Sequence, residues 1–170
     1  MANARKIAVK ALMKMDSDDA YSNIVINNAL NNSELTGVDR AFCSVLFYGT
    51  LERRITLDHI LSKYCKQPLA EMNNAIVNIL RCGIYQLKYM DKIPVSAAVN
   101  ESVKLSKKSK CAFASGLINS VLRKISSTDI KMPETDNKIY DLSIAYSCPE
   151  SLVTQFVTDY GVTYAEKILR

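Results

Sequence analysis

The chain has 170 residues, of which 48% are hydrophobic and 23% charged, and its formal net charge is +5. That length is enough for one domain with a sizeable core, or for one domain and an appendage. No apolar run approaches the roughly 18 residues of a membrane span, so the sequence excludes a membrane-spanning helix.

The five cysteines show no short-range pairing, and no signal peptide precedes them. An odd number of cysteines without a framework is typical of a reducing compartment. We therefore expect a cytoplasmic protein in which Cys43 and Cys82 are small buried side chains. Because no His/Cys cluster has metal-ligand spacing, no metal site is expected.

Charge is unevenly distributed along the chain. Residues 1–125 contain 12 Lys and 6 Arg against 10 acids, which gives +8, whereas residues 126–170 contain 3 Lys and 1 Arg against 7 acids, which gives −3. A basic body followed by an acidic segment suggests that the body meets a polyanion.

Apolar residues at three- and four-residue spacing predict an all-α chain. Helices are expected over about 2–15, 22–30, from Thr36 or Asp39 onward, 57–64, and between Pro68 and Met90. The last of these is the most regular and indicates the central helix of a bundle. In the third helix the apolar stripe is Phe42, Val45, Leu46 and Gly49. A mid-helix glycine costs about 1 kcal/mol relative to Ala, so Gly49 predicts close helix packing.

Two further helices begin near Pro94 and Gly116, and each contains an asparagine that helix formation does not require, Asn100 and Asn119. Polar residues 126–137 then predict a linker, followed by short helices over 139–146, 149–160 and from Tyr164. The expected organisation is a domain over 1–125, a linker over 126–138, and the start of a second helical segment over 139–170. The chain stops inside a helix without a capping residue. A fragment or a trimmed chain is therefore at least as good an explanation as a natural C-terminus.

Several strings of the sequence carry a family resemblance. They are Ile93–Lys108, Gly116–Arg123, Asp39–Phe42, Leu46–Leu51 and Leu80–Leu87. Over roughly residues 3–170 the chain resembles the NusB-type RNA-binding domain, in the version found at the N-terminus of RsmB (Sun/Fmu) ribosomal-RNA cytosine-5 methyltransferases. The resemblance implies a NusB-like helical bundle and an RNA partner, the 16S rRNA. It also implies that an S-adenosylmethionine-binding C-terminal domain is missing.

Little in the chain could run a reaction. His59 is the only histidine, and no Gly-rich loop follows a strand. Cys148-Pro149 reverses the Pro-Cys order of cytosine-5 methyltransferase nucleophiles, so Cys148 is interpreted as a loop residue. We predict no catalytic residue in this chain and no cofactor bound by it.

The resemblance implies an RNA surface built from the N-terminal basic helix and neighbouring helix ends. The residues it selects are Arg5, Lys6, Lys104, Lys107, Lys108 and Asn119. Tyr21 or Tyr48 could stack on bases if exposed. Cations at a helix C-terminus also complement the macrodipole, which is the alternative explanation for the lysines of 104–110. Arg81 interrupts the central apolar pattern and is expected either to snorkel or to pair internally with a carboxylate such as Glu101 or Asp39.

The preferred interpretation is the RNA-binding N-terminal domain of a small-subunit rRNA cytosine-5 methyltransferase. The alternatives are a stand-alone NusB-type transcription antitermination factor that binds RNA and a ribosomal protein, and a purely structural helical scaffold. Residues 139–170 discriminate between the methyltransferase domain and the antitermination factor. They resemble the methyltransferase linker, which a stand-alone NusB protein does not need.

Overall fold

A computed structural model describes residues 3–18 and 20–170. Within them the chain is all-α, as the periodicity predicts, with two short 3₁₀ turns at Leu69–Glu71 and Ala112–Ala114. The helices are α1 (Ala4–Ser17), α2 (Ser22–Asn31), α3 (Gly37–Glu52), α4 (Arg54–Ser62), α5 (Asn74–Tyr89), α6 (Val95–Lys107), α7 (Ser115–Ser127), α8 (Lys138–Tyr146), α9 (Glu150–Tyr160) and α10 (Val162–Leu169).

Helix α5 is the centre of the bundle and contacts α1, α3, α4, α6 and α7. Its residues 76–84 are buried all the way round, which confirms the central helix predicted from the sequence. The helix begins later than the pattern suggests, because the Asn73 side chain accepts a hydrogen bond from the Ala75 N–H at 2.9 Å and caps it there. Met72 therefore lies outside the helix, next to the first 3₁₀ turn.

The inward face of α3 differs in part from the predicted stripe. Cys43, Leu46 and Phe47 are buried, but Val45 is 50% exposed, so its assignment to the core was wrong. The prediction for Gly49 is confirmed, because a Cβ at this position would overlap the ring of Tyr85 on α5. Helices α3 and α5 thus approach each other at a point where only glycine fits.

The buried Arg81 forms an ionic cluster that joins three helices. Its guanidinium donates to both carboxylate oxygens of Asp58 at 2.7 and 2.8 Å, and to Asp16 at 3.2 Å. Burial acts to lower the pKa of Arg81, but the hydrogen bonds and charges of the two aspartates outweigh it and raise the pKa. The internal role is confirmed, whereas the partners named from the sequence, Glu101 and Asp39, were wrong.

The C-terminal helices dock on the bundle through α4. The Thr56 hydroxyl donates to the Ile144 carbonyl at 2.6 Å, and the Ile55 N–H donates to the Ser147 hydroxyl at 3.1 Å. Helix α8 ends at Tyr146, and the next residue, Ser147, has a φ of 56°, in the left-handed region common after helix ends. Helices α9 and α10 pack on each other and on α8.

No helix in residues 3–18 or 20–170 is both long and apolar enough to cross a membrane. The same part of the chain contains no group of three or more His, Cys, Asp or Glu side chains able to hold a metal ion.

Candidate nucleic-acid interface

A cleft of about 700 Å³ lies between α1, the end of α2 with the connection after it, and the C-terminal half of α6. Its charged lining residues are Lys6, Lys10, Glu34, Glu101, Lys104 and Lys108. Four lysines against two glutamates give the lining a net charge of +2. We call this region the lysine cleft.

Helix α1 contributes the first pair of lysines. Lys6 and Lys10 are one turn apart and both exposed, while Ala8, Ala11 and Leu12 on the other face are buried in the core. Among the described residues, no carboxylate forms an ion pair with either lysine. Within the described part of the chain, their ammonium groups therefore line the cleft without a neutralising carboxylate.

Helix α6 contributes the second pair. Lys104 donates to Glu101 at 2.7 Å, and this hydrogen bond holds the pKa of Glu101 below its usual value. Lys108 caps α6, and its backbone N–H donates to the Lys104 carbonyl. No described carboxylate pairs with the Lys108 ammonium, so the cleft has both a neutralised and an unneutralised lysine on this side.

Arg5 does not line the lysine cleft. Its Nε donates to Gln86 Oε1 at 2.8 Å, and its guanidinium lies 4.8 Å from the centre of the Phe42 ring. Burial lowers the pKa of Arg5, with attraction to Glu101 acting in the opposite direction. The side chain thus joins α1 to α3 and α5, and Lys10 is the α1 residue that accompanies Lys6.

Two more of the predicted residues lie elsewhere on the surface. Lys107 is exposed but does not line the cleft. Asn119 is half-buried on α7, where its Oδ1 accepts a hydrogen bond from Arg123 Nε at 3.0 Å. The structure therefore brings Lys6, Lys104 and Lys108 together and leaves Arg5, Lys107 and Asn119 outside. Lys10 lies one turn from Lys6 in the sequence and was not among the predicted residues, but it lines the cleft beside Lys6.

Both tyrosines considered for stacking are accessible, with Tyr21 at 76% exposure and Tyr48 at 42%. Cys148 and His59, the side chains considered for catalysis, lie outside the lysine cleft. Burial raises the pKa of the Cys148 thiol, which disfavours the reactive thiolate. His59 Nδ1 lies 3.1 Å from the Tyr140 hydroxyl, between α4 and α8 and away from the lysine cleft.

These observations define a class of protein: a helical bundle built around one buried central helix, with a basic cleft on its surface. The NusB family model matches residues 2–127. The chain belongs to the NusB family.

Two kinds of relative match the chain over different lengths. It is 32% identical to the probable ribosomal RNA small subunit methyltransferase B of Bacillus subtilis over 99% of this chain and 38% of that protein. It is 31% identical to the transcription antitermination protein NusB of Ruminiclostridium cellulolyticum over 80% of this chain and 94% of that protein. The chain thus spans about two fifths of the length of the ribosomal RNA small subunit methyltransferases B that it matches.

The arrangement of helices also occurs in a solved structure. The crystal structure of PH0851 superposes with a TM-score of 0.77 and 12% sequence identity, covering 100% of this chain and 38% of that one. At this identity the likeness concerns the fold alone, and the fold includes α8 to α10.

Proposed function

We propose that this chain is the RNA-binding portion of a small-subunit rRNA cytosine-5 methyltransferase, and that it positions the rRNA for methylation. The observation that carries the proposal is the lysine cleft, where Lys6 and Lys10 from α1 meet Lys104 and Lys108 from α6.

The chemistry of the cleft suits an RNA backbone. Lysine ammonium groups attract phosphates as point charges and release counterions when they bind, so they hold the backbone without reading bases. The first turn of α1 contains no acidic residue, so the positive end of its macrodipole adds to the same potential. An arrangement of this kind orients an RNA, while sequence specificity comes from other contacts.

The extent of the similarity favours a methyltransferase over an antitermination factor. The NusB family match ends at residue 127, whereas the similarity to the Bacillus subtilis methyltransferase covers 99% of the chain. The additional residues fold into α8–α10 and are held by specific hydrogen bonds such as Thr56 to Ile144. A segment anchored in this way is part of the domain's architecture.

The second candidate function is RNA binding in transcription antitermination. It is favoured by the match to 94% of the length of the Ruminiclostridium cellulolyticum protein. In that case residues 128–170 would be dispensable for the activity. Deleting them would leave function intact in an antitermination assay, whereas the methyltransferase proposal gives α8–α10 a role in connecting RNA and catalysis.

In this proposal, methyl transfer takes place in the region of the methyltransferase that corresponds to the part of its relatives beyond the matched residues. S-adenosylmethionine would supply the methyl group there. The described residues contain no strand followed by a glycine-rich turn of the kind that cradles such cofactors.

Ultraviolet cross-linking tests the proposal. Purified chain is mixed with small-subunit rRNA fragments containing 4-thiouridine, irradiated, and digested for peptide mass spectrometry. We expect cross-linked peptides from α1 and from the C-terminal half of α6. Cross-links confined to α8–α10, or none above those of a matched bovine albumin control, would contradict it.

A further inference from the structure

The segment from Ser102 to Thr128 contains cations and no acidic residue. The cations are Lys104, Lys107, Lys108, Lys110, Arg123 and Lys124. This segment comprises the C-terminal part of α6, the second 3₁₀ turn and all of α7. It begins at the lysine cleft, because Lys104 and Lys108 belong to both, and it continues the positive surface beyond the cleft.

An exposed phenylalanine lies in the middle of this basic segment. Phe113 is 79% exposed, slightly more than Tyr21 at 76%. A single exposed apolar side chain needs no partner by itself, but a phenyl ring this exposed offers apolar surface that a flat aromatic group would cover favourably. The surroundings are cationic, which favours a partner that combines negative charge with flat apolar groups.

The local backbone forces this ring outward. The 3₁₀ turn Ala112–Ala114 has three residues per turn, so Cys111 and Ala114 lie on one side of it. Both are buried, at 1% and 4% exposure, and the Ala114 N–H donates to the Cys111 carbonyl at 3.0 Å. Phe113, between them, must then face solvent. The ring therefore stands on a turn that is anchored on both sides.

Phe113 is within reach of an RNA held in the lysine cleft. It follows Lys108 by five residues, and five residues span at most about 18 Å even when fully extended. A single strand that extends from the α6 lysines toward the second 3₁₀ turn would therefore reach Phe113 within a few nucleotides. Proteins that bind single strands combine this kind of basic path with aromatic rings on which unpaired bases stack.

We infer that Phe113 is a stacking platform for an unpaired base of single-stranded RNA, next to phosphates held by the lysine cleft. The inference rests on the proposed function and deepens it, because it selects single-stranded over duplex RNA. A paired base is already stacked within its helix, so it cannot place its face on the phenyl ring.

Equilibrium binding tests the contact. The probe is a fluorescein-labelled single-stranded RNA of about 12 nucleotides, compared with the same RNA annealed to its complement. Phe113→Ala is expected to weaken single-strand binding roughly 5- to 150-fold, the range measured for loss of one base–aromatic stack. The salt dependence stays unchanged because no charge is removed. Phe113→Tyr should bind like the original chain, and Tyr164→Ala, which removes an exposed aromatic from α10, is the matched control.

A spectroscopic measurement separates stacking from a general loss of structure. The chain contains no tryptophan, so a Phe113→Trp variant has a single indole at the position of interest. We expect the single-stranded RNA to quench its emission, and the duplex to quench it much less. The Tyr164→Trp variant should show no comparable quenching with either RNA.

The outcomes for the two proposals are distinguishable. If the original chain binds RNA with the expected salt dependence but Phe113→Ala binds equally well, the stacking inference is overturned and Phe113 becomes a candidate protein contact. Equal weakening of single-strand and duplex binding would overturn it as well. If the original chain shows no salt-dependent RNA binding, the proposed function fails, and the stacking inference fails with it.

Discussion

At the scale of single residues, Arg81 shows how the bundle accommodates a charge in its interior. Its side chain is 8% exposed and is paired with Asp58 and Asp16, which are 31% and 13% exposed. Removing one member of a buried ionic group leaves the others without partners in a medium that solvates charge poorly. The energetic importance of Arg81 therefore lies in the cost of breaking the cluster.

The Arg81→Met variant retains much of the side chain's length but leaves both aspartates without this partner. We expect the free energy of unfolding to fall by about 3 kcal/mol. Urea denaturation followed by circular dichroism measures the change. The control is Arg54→Met, because Arg54 also pairs with Asp16, at 2.9 Å, but its side chain is 43% exposed. That surface pair should contribute at most about 1 kcal/mol. Equal losses in the two variants would contradict the buried-cluster interpretation.

Glycines in two helices provide a second matched pair. Ala is intrinsically the better helix former by about 1 kcal/mol. At Gly116 nothing lies within 4 Å of a new Cβ, so Gly116→Ala should stabilise the protein by roughly 0.5–1 kcal/mol. At Gly49 the new methyl group would overlap Tyr85, so Gly49→Ala should destabilise it by about 1–3 kcal/mol. Thermal unfolding of both variants checks the opposite signs, and two shifts of the same sign would contradict the close contact of α3 with α5.

At the scale of helices, the contact of α4 with α8 contains the protein's only histidine. Burial, followed by the nearby charge of Lys63, lowers the pKa of His59. Its Nε2 is buried without a hydrogen-bond partner among the described residues, and its Nδ1 lies beside the Tyr140 hydroxyl. Protonation would place a charged donor where nothing accepts it.

This geometry predicts a pH dependence of stability. Because the folded-state pKa of His59 is depressed, the unfolded chain binds the proton more readily. Stability is therefore full above the unfolded pKa of about 6.5 and falls as the pH drops below that value. Urea titrations at about pH 7.5 and pH 5.5 should show a smaller loss for His59→Asn than for the original chain. Identical losses would mean that His59 titrates normally in the folded protein.

The helices themselves were largely predictable, because their apolar spacing is regular, but their exact faces were not. Val45 and Phe47 are both apolar residues of α3, and only the position of the neighbouring helices decides that Phe47 is buried and Val45 half-exposed. The start of α5 depends on the Asn73 cap, a short-range contact that competes with the longer apolar pattern. Local sequence therefore specifies a helix better than it specifies the helix's surroundings.

The candidate site shows the same division. Basic residues near helix ends could be selected from the sequence, and Lys6, Lys104 and Lys108 do meet in one cleft. Arg5 and Lys6 are adjacent, but neighbouring helical residues point about 100° apart. The partner that turns Arg5 inward is Gln86, which is 81 residues away in the sequence. Such a distant contact leaves no signal in the local pattern.

At the scale of the whole molecule, the connection between α7 and α8 is the segment without helix that separates the family-matched part from α8–α10. Lys131 is exposed within it, and limited trypsin digestion should cut there first, because this is the longest connection without helix in the described chain. We expect fragments 1–131 and 132–170 to stay associated on gel filtration, since α8 contacts α4. First cleavage within α5, at Arg81 or Lys88, would contradict the central position of that helix.

Charge is the other property of the whole molecule on which the account depends. Residues 1–125 carry a net +8, and the lysine cleft concentrates part of that charge between two helices. An excess spread over the surface would support weak, diffuse attraction, and would be insensitive to the loss of any two lysines. A cleft predicts that binding is more sensitive to its own lysines than to lysines on distant surfaces such as α8 and α10.

The salt dependence of RNA binding tests this account most directly. The logarithm of the binding constant should fall with the logarithm of salt concentration, with a slope of about −0.7 for each phosphate neutralised on a single strand. The Lys6→Gln/Lys108→Gln variant should weaken binding and flatten that slope by about 1.4 units. Lys138→Gln/Lys167→Gln, which removes the same charge from α8 and α10, should leave the slope within error of the original chain. A cleft variant that folds normally by circular dichroism and keeps both its affinity and its slope would contradict the central claim.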